Sequence, residues 1–124
     1  MNDSEELWDK RYSDNPVLNP PSEFLEEFEQ YLPTQGTCVD IAGGNGRNAL
    51  WFAKKGYTTS VIDISSVALN QATKSAQSQK VELECIYWDI EKNLLPPERT
   101  WDIALLTLFP VSYTHLRAHE TMSN

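Results

Sequence analysis

The chain has 124 residues, of which 40% are hydrophobic and 23% charged, with a formal net charge of −8. That is enough for one domain with a core and too little for both halves of a complete doubly wound fold; the composition excludes a disordered or fibrous protein, and the acidic balance argues against a surface that tracks nucleic-acid phosphates. No run of about 18 apolar residues is present, and Met1-Asn2-Asp3-Ser4-Glu5-Glu6 has neither the basic nor the apolar region of a signal peptide, so a cytoplasmic protein with no membrane association is expected.

Residues 4–12 read as a short helix. Ser4 can cap it, Glu5 and Glu6 suit its positive end, and Lys10 and Arg11 suit its negative end. Leu7, Trp8, Arg11 and Tyr12 then share a face, either as core packing or, for Trp8, Arg11 and Tyr12, as a lid over a ligand. A loop dense in Asp, Asn and Pro leads to a second helix beginning near Ser22. There the spacing predicts Phe24, Leu25, Phe28, Tyr31 and Leu32 on one buried stripe, with Glu23, Glu26, Glu27 and Glu29 facing water.

Pro33 to Gly36 ends that helix, and Thr37 to Ala42 has strand character. After the glycines, Asn48 to Lys55 reads as a helix packing through Ala49, Leu50, Phe52 and Ala53 and stopped by Gly56. Thr58 to Ile64 is a second strand; Ser65 or Ser66 then caps a helix that carries Ala68, Leu69, Ala72 and Ala76 on one stripe. Val81 to Trp88 alternates, and its glutamates Glu82 and Glu84 suggest a sheet edge. Trp101 to Phe109 is nearly continuous apolar sequence, as expected of a strand buried on both faces. Cys38 and Cys85 lie inside apolar runs without metal-ligand spacing, so reduced thiols and no metal site are expected.

The chemistry concentrates at Asp40-Ile41-Ala42-Gly43-Gly44-Asn45-Gly46-Arg47-Asn48. A glycine turn between a parallel strand and a helix lets backbone approach a ligand, and the N–H groups at the helix start favour acceptor atoms. Asp63 ends the next strand, where an acid can accept hydrogen bonds from ribose hydroxyls. Asp40 can equally accept hydrogen bonds from the turn itself, and Asp63 can cap the helix that follows it.

These two stretches resemble the first two motifs of class I S-adenosylmethionine-dependent methyltransferases. Trp8-Asp9-Lys10-Arg11-Tyr12, Tyr31-Leu32-Pro33, Arg47-Asn48-Ala49-Leu50-Trp51 and Trp101-Asp102-Ile103 extend the resemblance, which looks nearest to the small-molecule group containing tellurite-resistance and thiopurine-type enzymes. The resemblance implies S-adenosylmethionine as cofactor and a small-molecule methyl acceptor. By position, Asp40 would sit under the methionine amino group; Ala42, Gly43, Gly44 and Gly46 would form the turn; Asp63 would hold the ribose and Ile64 the adenine face; Asp89 and Ile90 would meet the adenine edge. Ala42 stands where many relatives have glycine, and Gly43 where many have cysteine. No catalytic base is nominated, because methyl transfer from a sulfonium to a soft nucleophile needs orientation more than proton transfer.

The implied fold is a Rossmann-like, doubly wound α/β sheet of order 3-2-1-4-5-7-6, of which this sequence holds strands 1 to 4 after two helices. Residues 1–35 would be a helical cap and 36–110 a partial cofactor domain. The run Val111 to Thr121 resembles the conceptual translation of a transposase sequencing adapter, so 111–124, with both histidines (His115 and His119), reads as a non-native tail. Lacking the substrate half of the cleft and leaving an apolar strand at an edge, such a fragment is expected to be weakly active or inactive and poorly soluble. Two rivals share the motif: a nicotinamide- or flavin-binding Rossmann protein, and a non-catalytic cofactor-binding remnant.

Overall fold

In the computed structural model, which describes residues 3–15, 18, 20–93 and 95–107, the strands β1 (Thr37–Ile41), β2 (Thr58–Asp63), β3 (Glu84–Tyr87) and β4 (Ile103–Leu106) form one parallel sheet in the order β3-β2-β1-β4. The helices are α1 (Asp3–Asp14), α2 (Phe24–Phe28), α3 (Arg47–Lys54) and α4 (Ser66–Gln79), with a 3-10 turn over Glu29–Tyr31. This is the expected Rossmann-like α/β arrangement, with strands 1 to 4 in the expected order. Because β2 lies on one side of β1 and β4 on the other, the chain changes winding direction at β1, and the crevice at the carboxyl end of that strand is where such sheets bind ligands.

Side chains alternate along β1 and sort the core into two faces. Cys38 joins Leu25, Phe52, Tyr57 and Ile103 on the side of α2 and α3. Val61 of β2 meets Ala49, Leu69 and Ala72 of α3 and α4. Val39, Ile41 and Ile62 face the other way, under Trp88, Ile90, Leu95 and Trp101 from the segment between β3 and β4. The two thiols are free. Asp102 closes the amino end of the sheet: its Oδ2 accepts from the Thr37 amide at 2.9 Å and hydroxyl at 3.1 Å, while its own amide donates to Thr37 Oγ1.

Three local expectations are corrected. The second helix does not carry one stripe to Leu32: α2 tightens to a 3-10 turn after Phe28 and stops at Tyr31, because a residue before proline, here Leu32, is driven into extended backbone (ψ 151°). Only Leu25 of that stripe is buried, whereas Phe28 and Tyr31 are 52% and 74% exposed. The third strand starts at Glu84 instead of Val81, and Tyr87, expected beside Cys85, projects beyond the cover of α4 to hydrogen-bond Glu5. Finally, β4 spans Ile103–Leu106 and is not buried on both faces: Ile103 is buried but Ala104 is exposed, at the edge position expected for this strand among the described residues; positions 108–109 of the expected run lie outside the described residues. The tail at 111–124 lies outside the described residues.

Candidate functional site

The turn that leaves β1 is bent by four residues. Ala42, Gly44 and Gly46 have positive φ (56°, 63° and 91°), conformations that glycine adopts freely and alanine only with strain. Gly43, two residues beyond the end of β1, donates its amide to Ile62 O of β2 at 3.1 Å, which continues the pairing with β2 into the turn. A side chain at Gly43 would run into the Asp40 carboxyl group and Val61, so the missing Cβ is what lets the turn fold down onto Asp40. α3 then starts from Gly46 without a side-chain cap.

Asp40 lies under this turn, 0% exposed, and neither of its carboxyl oxygens has a hydrogen-bond partner among the described residues. Burial, reinforced by the neighbouring Asp63 charge, pushes its pKa up to about 8. The Arg47 charge and the amide of Ala49 at the start of α3 pull the other way without reaching hydrogen-bonding geometry. A buried carboxyl with nothing to bond to is costly, and a cationic donor arriving from outside would relieve it.

Asp63 is the opposite case. Its Oδ2 accepts from the Gly44 amide and its Oδ1 from the Ser65 amide, both at 2.8 Å. Burial raises its pKa, and these amides with that of Ile64 lower it. Asp63 thus fastens the glycine turn to the start of α4, and each oxygen keeps a further lone pair for an outside donor. Ser65, the N-cap of α4, accepts from the Ala68 amide as expected. Ile64 is half-buried beside it. Asp89 makes a local turn, its Oδ1 accepting from the Glu91 amide at 3.0 Å, and Ile90 packs on Val39, Ile41 and Ile62.

α1 crosses the carboxyl ends of the strands in the order β3, β2, β1. Ser4 donates to Glu91 after β3, Glu5 meets Tyr87 at the end of β3, Asp9 accepts from Ser65 after β2, and Tyr12 reaches Gly44 after β1. The Tyr12 hydroxyl lies where a Cβ on Gly44 would be. Burial, then the charges of Asp63 and Asp40, raise its pKa. Trp8 stands 6.2 Å from the Tyr12 ring, and the exposed Arg11 guanidinium stacks on Trp8 at 5.2 Å. Asp40, the turn, Asp63, Ile64 and Tyr12 therefore converge, while Arg11 points outward.

Two contributors escaped the sequence reading. Asn48 is fully buried, its Oδ1 accepting from the Ser22 amide (2.8 Å) and its Nδ2 donating to Thr107 Oγ1 (3.2 Å), so it ties the entry to α2 and the exit of β4 to the start of α3. A polar residue among Ala49, Leu50 and Phe52 was the available signal. Asp9 bonds a residue 56 positions away, and nothing local distinguishes it from a solvated helix acid.

A sequence-family model of the methyltransferase domain matches residues 38–123, most of the chain. The chain belongs to the methyltransferase-domain family. The match begins inside β1 and takes in the glycine turn, Asp63 and Asp89 of this methyltransferase domain. No curated protein sequence matches it. The solved structures to which the chain is similar include these three. One is described as "Conversion of a Disulfide Bond into a Thioacetal Group during Echinomycin Biosynthesis" (TM-score 0.72, 22% identity, over 83% of this chain and 47% of that one). Another is the T. thermophilus 16S rRNA N2 G1207 methyltransferase in complex with AdoMet and guanosine (0.64, 18%, 79% and 28%). The third is a SAM-dependent methyltransferase from Thiobacillus denitrificans in complex with S-adenosyl-L-homocysteine (0.62, 17%, 95% and 51%). At these identities the likeness concerns the fold, and the chain spans about half or less of the length of these structures. Among the described residues no helix is long and apolar enough to cross a membrane, and no cluster of His, Cys, Asp and Glu could hold a metal ion.

Proposed function

We propose that the crevice at the carboxyl ends of β1 and β2 binds S-adenosylmethionine and that the protein transfers its methyl group to a small-molecule acceptor. The observation that carries this reading is Asp40: a fully buried carboxyl with two unpartnered oxygens at the glycine turn calls for a ligand with a cationic donor, which the amino group of the methionine portion supplies. The same observation disfavours the nicotinamide and flavin dinucleotides, whose pyrophosphate has no hydrogen to donate to these oxygens and whose charge would oppose ionisation of the carboxyl. Bound S-adenosylmethionine supplies a sulfonium whose methyl carbon is electrophilic.

The residues divide the work by their chemistry. Asp40 holds the ammonium, and Gly43 and Gly44 let the backbone close on the ligand. Asp63, already fixed by two amides, offers its remaining lone pairs to the ribose hydroxyls. Ile64 and Ile90 give the adenine apolar contact, and Asp89 accepts from its amino group. Tyr12, with Trp8 beside its ring, covers the turn and keeps water from it, whereas Arg11, the third residue of the expected lid, points outward. No side chain is assigned as a base. The net charge of −8 supports a small acceptor over a nucleic acid.

Thermal-shift titration with S-adenosylhomocysteine and, in parallel, NAD tests the reading. Stabilisation by the thioether nucleoside alone is expected; stabilisation by NAD alone would overturn it.

A further inference from the structure

The contacts of α1 single out one of its acids. Asp9 Oδ1 accepts from Ser65 Oγ at 2.6 Å and from the Val67 amide at 3.4 Å, so the carboxylate sits at the positive end of α4, a helix of 14 residues. One turn further along α1, Gln71 of α4 donates its Nε2 to Tyr12 O at 2.9 Å. The second attachment is to the backbone of the residue that covers the turn, and the first lies three residues before it: Tyr12 is 8% exposed, with its hydroxyl against Gly44. Ser65 is also joined to the site from below, since its amide donates to Asp63 Oδ1 and Asp63 Oδ2 accepts from Gly44. An unbroken path of hydrogen bonds therefore runs from Asp9 through Ser65 and Asp63 to the backbone that Tyr12 covers.

We propose that Asp9 is a positioning residue that latches α1 to the start of α4 and so holds Tyr12 over the glycine turn, making α1 a gate whose release sets how fast cofactor enters and leaves. The gating part rests on the assignment of this crevice to S-adenosylmethionine; the latching part does not. Asp9 is suited to the role because its bond is made to the capping residue and a free amide of α4, and not to the ligand. Breaking it frees α1 without removing a group from the crevice. Charge matters as well as reach, because a carboxylate at a helix N-terminus makes a charge-assisted bond that an amide makes less strongly.

The test uses the full chain and its Asp9→Ala and Asp9→Asn variants. Hydrogen–deuterium exchange should accelerate in D9A, by about tenfold, at residues 4–14 and 43–46 together, with α3 and β1 as protected as before. D9N, whose amide oxygen still accepts, should fall between D9A and the original chain. Stopped-flow binding of S-adenosylhomocysteine should show association and dissociation both accelerated in D9A, with the dissociation constant little changed. A residue that merely stabilised the fold would weaken binding without speeding association. Unchanged exchange in α1 of D9A would overturn the proposal, as would faster exchange in α1 with none at 43–46, or protection lost throughout the molecule in both variants. Accelerated local exchange in a chain that does not bind S-adenosylhomocysteine would retain the latch, overturn the gate, and refute the cofactor assignment instead.

Discussion

Replacing Asp40 with asparagine separates the two roles of that residue, because asparagine resembles the protonated carboxyl and never ionises. In the folded chain Asp40 titrates near 8 against an ordinary value of 3.8. A raised carboxylate destabilises as it ionises: below about pH 4 both states hold the proton, between about 4 and 8 only the folded state does, and above 8 neither does. Stability carried by this group is therefore full at low pH and lost as pH rises, at about 1.4 kcal/mol per pH unit, to a total on the order of 5 kcal/mol. D40N should escape that loss. Denaturant unfolding followed by tryptophan fluorescence at pH 5, 6, 7 and 8 should show D40N gaining on the original chain by about 1.4 kcal/mol with each unit. Affinity for S-adenosylhomocysteine should move the other way: D40N should lose about 100-fold or more, because the ligand ammonium is left without its buried partner. In the original chain, affinity should weaken below pH 8 because Asp40 must first give up its proton. A stability difference that stays constant from pH 5 to 8 would refute the titration argument, and full affinity in D40N would refute the role at the ammonium.

Four further substitutions probe the turn and its supports. Ala42→Gly should raise stability by about 0.5–1 kcal/mol, since relief of a left-handed alanine exceeds the added chain entropy of glycine; a lower melting temperature would show that Ala42 is not strained. Gly44→Ala should cost about 2 kcal/mol in thermal unfolding because its methyl group meets the Tyr12 hydroxyl at a positive φ, and Tyr12→Phe in the same chain should recover part of that cost; simple additivity would place Tyr12 elsewhere. Asn48→Ala should cost about 2 kcal/mol in denaturant unfolding, chiefly by leaving the buried Ser22 amide without an acceptor, and a neutral result would mean that water replaces the side chain.

What was legible in the sequence is what local chemistry dictates. Gly43-Gly44-Asn45-Gly46 after a strand marks a turn with left-handed backbone that few other residues can make, Ser65 caps whatever helix follows it, and Asp63 is placed by the strand that it ends. Asp40 was legible by position, but its lack of partners depends on how the turn folds down over it at Gly43. The exposed Phe28 and Tyr31 were misread because apolar spacing alone does not register that the backbone tightens ahead of Pro33. Asp9 and Asn48 were illegible for a different reason: their partners lie 56 and 59 residues away, and neither end of such a bond carries a mark of the other.

The winding reversal at β1 also sets a clock for synthesis. β1 pairs with β2 soon after both are made, but its other edge waits for β4, and Thr37 and Asp102, which clasp that seam, are 65 residues apart. At about 5–20 residues per second, that edge stays open for about 3 to 13 seconds on the ribosome. The same edge ends at Asp40 and the glycine turn, so of β1 and β2, the two strands flanked on both sides among the described residues, the one that founds the ligand crevice waits longer for its second neighbour.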